Sequence, residues 1–243
     1  MFTRQLTVQP SDVSSQGTIK LRSLLNYFQD TASVAVEPIE GTTTELVARG
    51  YAWILTRYEI EFIGHLPALD EKFSLTTFHD PSHGYNTLRV FQLNSPDGSP
   101  LVYAKTSWLL LDLAAGRPVK PASHLPEILT RDTETIPPDF TDIPEIDGDI
   151  TRSISFTVRF HDMDYNAHVN NAVYFEWVHD YAPVDTMTHR LKGIYASFRS
   201  GARLGENVTL DFSQNDDMTL CRIVRDGVKK PSANFLCTWQ KEE

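Results

Sequence analysis

The residues best suited to chemistry lie between Val158 and Trp177, which read Val-Arg-Phe-His-Asp-Met-Asp-Tyr-Asn-Ala-His-Val-Asn-Asn-Ala-Val-Tyr-Phe-Glu-Trp. Within that run Asp164, Asn166 and His168 stand at i, i+2 and i+4. In an extended segment those three side chains project to one side, and Met163, Tyr165 and Ala167 to the other. A helix predicted to begin near Asn170 aims its unpaired backbone N–H groups back at the same spot. A carboxylate, an amide, an imidazole and an anion-favouring helix end together suit acyl transfer. A water or nucleophile must be activated, and the oxyanion that develops on the carbonyl needs donors. His161, Asp162, Asp164 and His168 also read as metal ligands, but their spacing matches no familiar zinc pattern, so no metal and no cofactor is expected. Asp162 and Asn170 are expected chiefly to hold the loop and cap the helix.

Which elements position these groups follows from a comparison of the chain with itself. With Val8 placed over Val158, Asp12 falls on Asp162, Ile19 on Val169, Tyr27 on Trp177, Asp30 on Asp180 and Ala32 on Ala182, a constant offset of 150 over 25 residues. That is the mark of a duplicated unit. Leu21, Leu24, Leu25, Phe28, Ala32 and Ala35 recur at helical spacing with Thr18 as the expected N-cap. Val173, Trp177, Val178 and Tyr181 make a similar stripe capped by Asn170 or Asn171.

Strand texture follows each helix. Trp53 to Phe62 alternates with Ile54, Thr56, Tyr58, Ile60 and Phe62 on one face, and Phe73–Phe78, Tyr85–Leu93 and Leu101–Leu111 come next. Ser95-Pro96-Asp97-Gly98 turns between the last two. In the second half, Asn207–Gln214 and Leu220–Arg225 precede a hairpin signal at Asp226-Gly227, and a strand runs from Val228 into Ala233–Gln240. One early helix followed by antiparallel strands, used twice, is an α+β tandem (double) hot-dog, in which two antiparallel sheets each wrap around a long helix. The repeat also acts as a control. Ser14, Gln16 and Thr18 stand where the second half has Asp164, Asn166 and His168, so the scaffold residues recur and the ionisable ones do not. That favours function over structure for the second set.

Between the two halves the texture changes. Six of the fourteen prolines fall between Pro118 and Asp149, and Arg131 to Asp149 holds seven acidic residues against one arginine. The expected organisation is an N-terminal domain over residues 1–117, a Pro-rich acidic linker over 118–150 and a C-terminal domain over 151–243 bearing the chemistry. The net charge of −10 argues against nucleic acid as a partner. The basic residues Arg199, Arg203, Arg222, Arg225, Lys229 and Lys230 make the C-terminal quarter the least acidic, either as a solvated sheet edge or as a docking patch. Two cysteines, Cys221 and Cys237, are too few for a disulfide framework and are expected as buried thiols on strands. The N-terminal residues lack an apolar core of signal-peptide length, and the strongest apolar run, Trp108 to Leu111, is too short to cross a bilayer. A soluble cytoplasmic protein without a membrane partner is expected. His65, His79, His83, His124, His179 and His189 have no evident sequence partners and are expected at the surface.

The Val158–Trp177 segment resembles the signature of the acyl–acyl carrier protein (ACP) thioesterases, double hot-dog enzymes that release the fatty acid and so end its synthesis. The family pattern, close to D-x-D-x-N-x-H-V-N-N-x-x-Y-x-x-W, is matched by Asp162, Asp164, Asn166, His168, Val169, Asn170, Asn171, Tyr174 and Trp177. The first half is similar too, through Leu24–Ala32, Ala52–Arg57 and Ser107-Trp108, so the resemblance covers most of the chain. It implies hydrolysis of fatty acyl-ACP, with ACP as the partner, by a monomer or homodimer. Asp164 would be the general base or nucleophile. Asn166 would polarise the carbonyl or position water, and His168 would orient the site or shuttle protons. Asn170, Asn171, Tyr174 and Trp53 are the expected substrate-binding residues. One departure stands out: family members often carry a Glu-Cys pair where this chain has Gly201 and Ala202, which argues against a cysteine nucleophile. Acyl-CoA hydrolysis is the first alternative to acyl-ACP hydrolysis. A non-catalytic acyl-binding module is the second, and a dehydratase on the same fold fits less well.

Overall fold

The computed structural model describes residues 1–37, 41–125 and 136–241, and the chain divides into two units, Met1–Phe140 and Thr141–Glu243. The first begins with strand β1 (Phe2–Thr7), a 3-10 turn at Pro10–Asp12 and helix α1 (Leu21–Val36). A short helix α2 (Thr43–Ala48) then leads into β2 (Tyr51–Phe62), β3 (Lys72–His83), β4 (Asn86–Asn94) and β5 (Pro100–Asp112). All pairings are antiparallel, in the order β1-β3-β4-β5-β2. The second unit repeats the plan with β7 (Arg152–Thr157), a 3-10 turn at Phe160–Asp162, helix α4 (Asn171–Tyr181), β8 (His189–Phe198), β9 (Asn207–Asn215), β10 (Met218–Arg225) and β11 (Ala233–Lys241). Its order, β7-β9-β10-β11-β8, is the same topology strand for strand.

Each helix buries its apolar residues against its own sheet. In the first unit Leu24, Leu25 and Phe28 are buried, and the Phe28 ring stacks on Phe91 of β4 at 4.9 Å. In the second, Phe175 meets Phe235 of β11 edge-on at 5.1 Å and Trp177 meets Phe156 of β7 at 4.9 Å. Full burial of each such side chain stabilises by about 1.5–3 kcal/mol, which fixes the helix and with it the turn just ahead of it.

Several details differ from the expectations. Thr18 does not cap α1; the residue before that helix is Lys20, and Thr18 instead forms an isolated bridge with Ala68. The alternation in β2 breaks because its register with β5 shifts between Leu55 and Arg57. The extra residue turns Ile54 outward (43% exposed) while Leu55, Tyr58 and Ile60 are buried. Asp226-Gly227 turns the chain, but β11 starts only at Ala233, because Pro231 has no N–H for a ladder. Within the stretch expected as a linker, β6 (Arg117–Val119) pairs with the end of β5, helix α3 (Pro121–His124) follows, and Leu125 and Ile136 are buried in the first unit's core. Residues 126–135 of that stretch lie outside the described residues. His79 is buried within β3, not at the surface, and the side chain of His83 is outside the described set.

Candidate active site

The Asp164–His168 segment is a closed turn, not an extended strand. Met163 and Val169 pair across its base, Asp164 N–H donates to His168 O at 2.8 Å, and Ala167 N–H donates to Asp164 O at 3.2 Å. The Asp164 carboxylate completes the loop: Oδ1 accepts from Asn166 N–H at 2.8 Å and from His168 N–H at 3.4 Å. Aspartate is suited to this, since its short side chain can hold N–H groups two and four residues on. The His168 imidazole is fixed by Nδ1, 3.0 Å from the Asn166 carbonyl oxygen. A carbonyl only accepts, so Nδ1 carries the hydrogen and Nε2 is the basic nitrogen of the neutral ring. The three residues thus share one closed turn, with the Asp164 carboxylate and the His168 ring bonded to its backbone and the Asn166 side chain exposed, and not a strand face.

The first unit contains the same backbone turn. Val13 pairs with Ile19, Ser14 N–H donates to Thr18 O at 2.9 Å, and Gly17 N–H donates to Ser14 O at 3.0 Å. Ser14 Oγ takes the place of the carboxylate and accepts from Gln16 N–H at 3.2 Å. A glycine, φ 78°, fills the left-handed position there, whereas the second unit puts Ala167 in it at φ 58°. The turn therefore forms without an acid, a histidine or a strained residue, and only the second unit carries all three.

Behind the turn, Asp162 is buried. Its carboxylate accepts from Arg159 N–H at 2.7 Å and pairs with the Arg159 guanidinium at 3.1 Å, while its carbonyl accepts from Asn170 N–H at 2.9 Å. Asp12 repeats the first and third of these bonds, to Gln9 and Lys20, which marks this position as scaffold. Asn170 caps α4, its side chain accepting from Ala172 N–H at 2.8 Å and its carbonyl from Val173 N–H at 2.9 Å. Those two donors are therefore consumed by the cap and are not offered to a ligand, contrary to the expectation from the helix start. Asn171, partly exposed, opens the helix.

Gly201 and Ala202 lie on the connection from β8 to β9 and press directly on the turn. A Cβ at Gly201 would sit 2.8 Å from His168 Cδ2 and 3.1 Å from its Cγ, so the glycine backbone is the wall of the imidazole. Ala202 O accepts from Val169 N–H at 2.9 Å, and Ala202 N–H donates to the Tyr174 hydroxyl at 2.7 Å. Tyr174 is almost wholly buried, and burial, with Glu206 and Asp164 adding to it, pushes its phenol up to about 12. Tyr174 therefore braces the wall from inside the core. Trp53 belongs to the first unit, half-buried against Leu46, Leu110 and Leu125. Cys221 and Cys237 are buried on β10 and β11, and desolvation raises both thiols well above the usual range, so neither is placed as a nucleophile. Among the described residues no cluster of His, Cys, Asp and Glu is placed to hold a metal ion. No described helix is long and apolar enough to cross a membrane.

A five-stranded antiparallel unit with an early helix, repeated in one chain and bearing an Asp-Asn-His turn only in its second copy, defines a double hot-dog protein. Solved structures share this fold. The 12:0-ACP thioesterase from Umbellularia californica superposes with a TM-score of 0.86 at 15% identity, over 99% of this chain and 97% of that one. An acyl-ACP thioesterase from Bacteroides thetaiotaomicron does so with a TM-score of 0.81 at 20% identity, over 98% and 97%. The chain belongs to the acyl-ACP thioesterase family: the family's N-terminal domain matches residues 1–129 and its C-terminal domain residues 148–241. A chloroplastic acyl-[acyl-carrier-protein] hydrolase of Cuphea viscosissima is 25% identical over 237 residues, 90% of this chain and 57% of that protein. A chloroplastic palmitoyl-acyl carrier protein thioesterase of Arabidopsis thaliana is 24% identical over 219 residues, 82% of this chain and 52% of that protein. The chain thus spans about half the length of the curated relatives it matches.

Proposed function

We propose that this chain hydrolyses fatty acyl thioesters carried on acyl carrier protein, releasing the free fatty acid. The observation that carries the reading is the internal contrast: two turns of one hydrogen-bonding pattern, of which only the second is furnished with Asp164, Asn166 and His168. Family membership gives that contrast its chemical meaning. A water held between Asp164 and His168 Nε2 attacks the thioester carbonyl carbon, and its proton passes to one of these two bases. The Asn166 side-chain amide, on the exposed tip of the turn, donates to the developing oxyanion. The tetrahedral intermediate then expels the thiolate, which takes up the proton, giving a carboxylic acid and a free thiol. Ala202 offers no sulfur, so water attacks without an acyl-cysteine stage.

In this reading the second unit is catalytic and the first is the acyl-pocket side. The sheet of each unit curls around its helix, an arrangement supported by the ring contacts of Phe28 and Phe175. Trp53 contributes to the acyl wall, while Asn170, Asn171 and Tyr174 shape the site by holding the turn and its neighbour. The proposed setting is the cytoplasm, with the protein acting as a monomer or homodimer; the plant relatives named above are chloroplastic. The test is free-thiol release from matched acyl-ACP and acyl-CoA panels. Turnover on acyl-ACP that excess unacylated ACP competes away, and that disappears in Asp164→Ala, supports the proposal. Turnover confined to acyl-CoA transfers it to the CoA carrier, and binding without turnover on either panel sinks it.

A further inference from the structure

The connection that walls His168 has no regular structure between β8 and β9, yet its backbone must be held to a few tenths of an ångström for the Gly201 contact to exist. One side chain ties both of its ends. Arg225, at the end of β10, donates from Nη2 to Ser200 Oγ at 3.2 Å and from Nη1 to Glu206 at 3.3 Å, so it grips the residues that flank Gly201–Gly205. Its Nε donates to Ser232 Oγ at 3.1 Å, and Ser232, fully buried, accepts Arg199 N–H at 2.8 Å through its carbonyl. Glu206 in turn accepts Arg203 N–H at 2.9 Å. Burial works against the Glu206 charge, but these donors outweigh it and hold the carboxyl below the usual glutamate range.

The first unit again supplies the comparison. Val8 N–H donates to Glu71 O as Val158 N–H does to Glu206 O, and Glu71 accepts Ala68 N–H at 2.9 Å as Glu206 accepts Arg203 N–H. There the carboxylate is met by His65 at 2.7 Å, a largely exposed partner reaching one group. The plain loop is thus held by an exposed histidine, and the loop beside the Asp-Asn-His turn by a mostly buried guanidinium with all three nitrogens engaged.

We infer that Arg225 is a positioning residue for the proposed reaction, clamping Ser200, Ser232 and Glu206 so that the Gly201–Ala202 backbone fixes the imidazole of His168. The inference rests on the thioesterase reading for its catalytic consequence but not for its structural one. The test uses the full chain as wild type, Arg225→Met, Arg225→Lys and Glu206→Gln. Amide hydrogen exchange is followed at Val169 and Ala202, and kcat and KM on acyl-ACP. Exchange at those two amides is expected to quicken about tenfold or more in Arg225→Met, while the β9–β10 ladder stays protected. The kcat is expected to fall roughly 10- to 100-fold with KM little changed, because the lost order lies beside the reacting groups. Lysine will not restore it, since an ammonium cannot reproduce a three-way planar fork. Glu206→Gln, which keeps an acceptor and is the milder change should Arg225→Met not fold, is expected to move both readouts in the same direction by less. Faster exchange at Val169 and Ala202 in a protein without turnover upholds the clamp and defeats the thioesterase reading. Unchanged exchange in folded variants, or a kcat loss that lysine repairs, overturns the clamp.

Discussion

Gly201→Ala is the sharpest small perturbation this structure offers. The added methyl would lie 2.8, 3.1 and 3.2 Å from Cδ2, Cγ and Cβ of His168. Ordinary carbon–carbon contact begins near about 3.5 Å, so the ring must retreat by roughly 0.7 Å or more. Because Cβ and Cγ are crowded along with Cδ2, rotation about the ring's own axis cannot relieve the clash. The displacement must break or lengthen the 3.0 Å bond from Nδ1 to the Asn166 carbonyl. Overpacking of this kind costs about 1–3 kcal/mol, which for a chain of this size lowers Tm by about 2–4 °C per kcal/mol. Misplacing a reacting group by about an ångström costs up to roughly 100-fold in rate. Gly201→Ala should therefore lose roughly 10- to 100-fold in kcat, with a fall in Tm of about 2–12 °C. Steady-state kinetics on acyl-ACP and thermal unfolding measure the two effects. Gly201→Glu, which would reinstate a residue common in the family, should be worse than alanine, because the imidazole already occupies the space. A Gly201→Ala protein with wild-type kcat and Tm would show that the wall yields and leaves the imidazole in place, contrary to this expectation, as would a gain of activity in Gly201→Glu.

Two further outcomes follow from the same region. Ala167→Gly removes a left-handed alanine at φ 58° where the first unit already uses Gly17, and should stabilise the chain by about 0.5–1 kcal/mol in urea unfolding; destabilisation would show that the methyl is packed and not merely tolerated. Tyr174 keeps its proton in the folded state to about 12 against about 10 when free. Its contribution is complete below pH 10 and is lost as pH rises through 12, so wild type should lose about 3 kcal/mol more than Tyr174→Phe across that window. Parallel losses in the two proteins would show that Tyr174 does not titrate as its burial requires.

The duplicated plan was legible because period and turn chemistry are local: the helix stripe around Phe28, the β4–β5 turn at Gly98 and the cap at Asn170 all sit where the residues place them. The Asp-Asn-His set stood out for another reason, the contrast with Ser14, Gln16 and Thr18. Its geometry was not legible. Spacing at i, i+2 and i+4 fits a strand, but the backbone closes into a turn whose N–H groups meet the Asp164 carboxylate, as the first unit's turn meets Ser14 Oγ. The bulge near Thr56 likewise depends on register with β5, which no pattern within β2 records. Arg225 gave no signal at all. It read as one of six basic residues in a least acidic quarter, and only the fold brings Ser200, Glu206 and Ser232 around it. Gly201 was visible as a departure from the family pattern, whereas its contact with His168 required the fold.

Asp164, Asn166 and His168 are proposed to serve chemistry on a turn that does not need them. Giving the second turn the first turn's residues, Asp164→Ser, Asn166→Gln and His168→Thr together, separates the two roles when unfolding and acyl-ACP hydrolysis are measured in one preparation. The expected result is a cooperatively folded protein within about 1–2 kcal/mol of wild type, since the first unit closes the same turn with serine, and no turnover above background. A variant that fails to fold would make these residues structural, and one that still releases thiol would move the chemistry elsewhere in the chain.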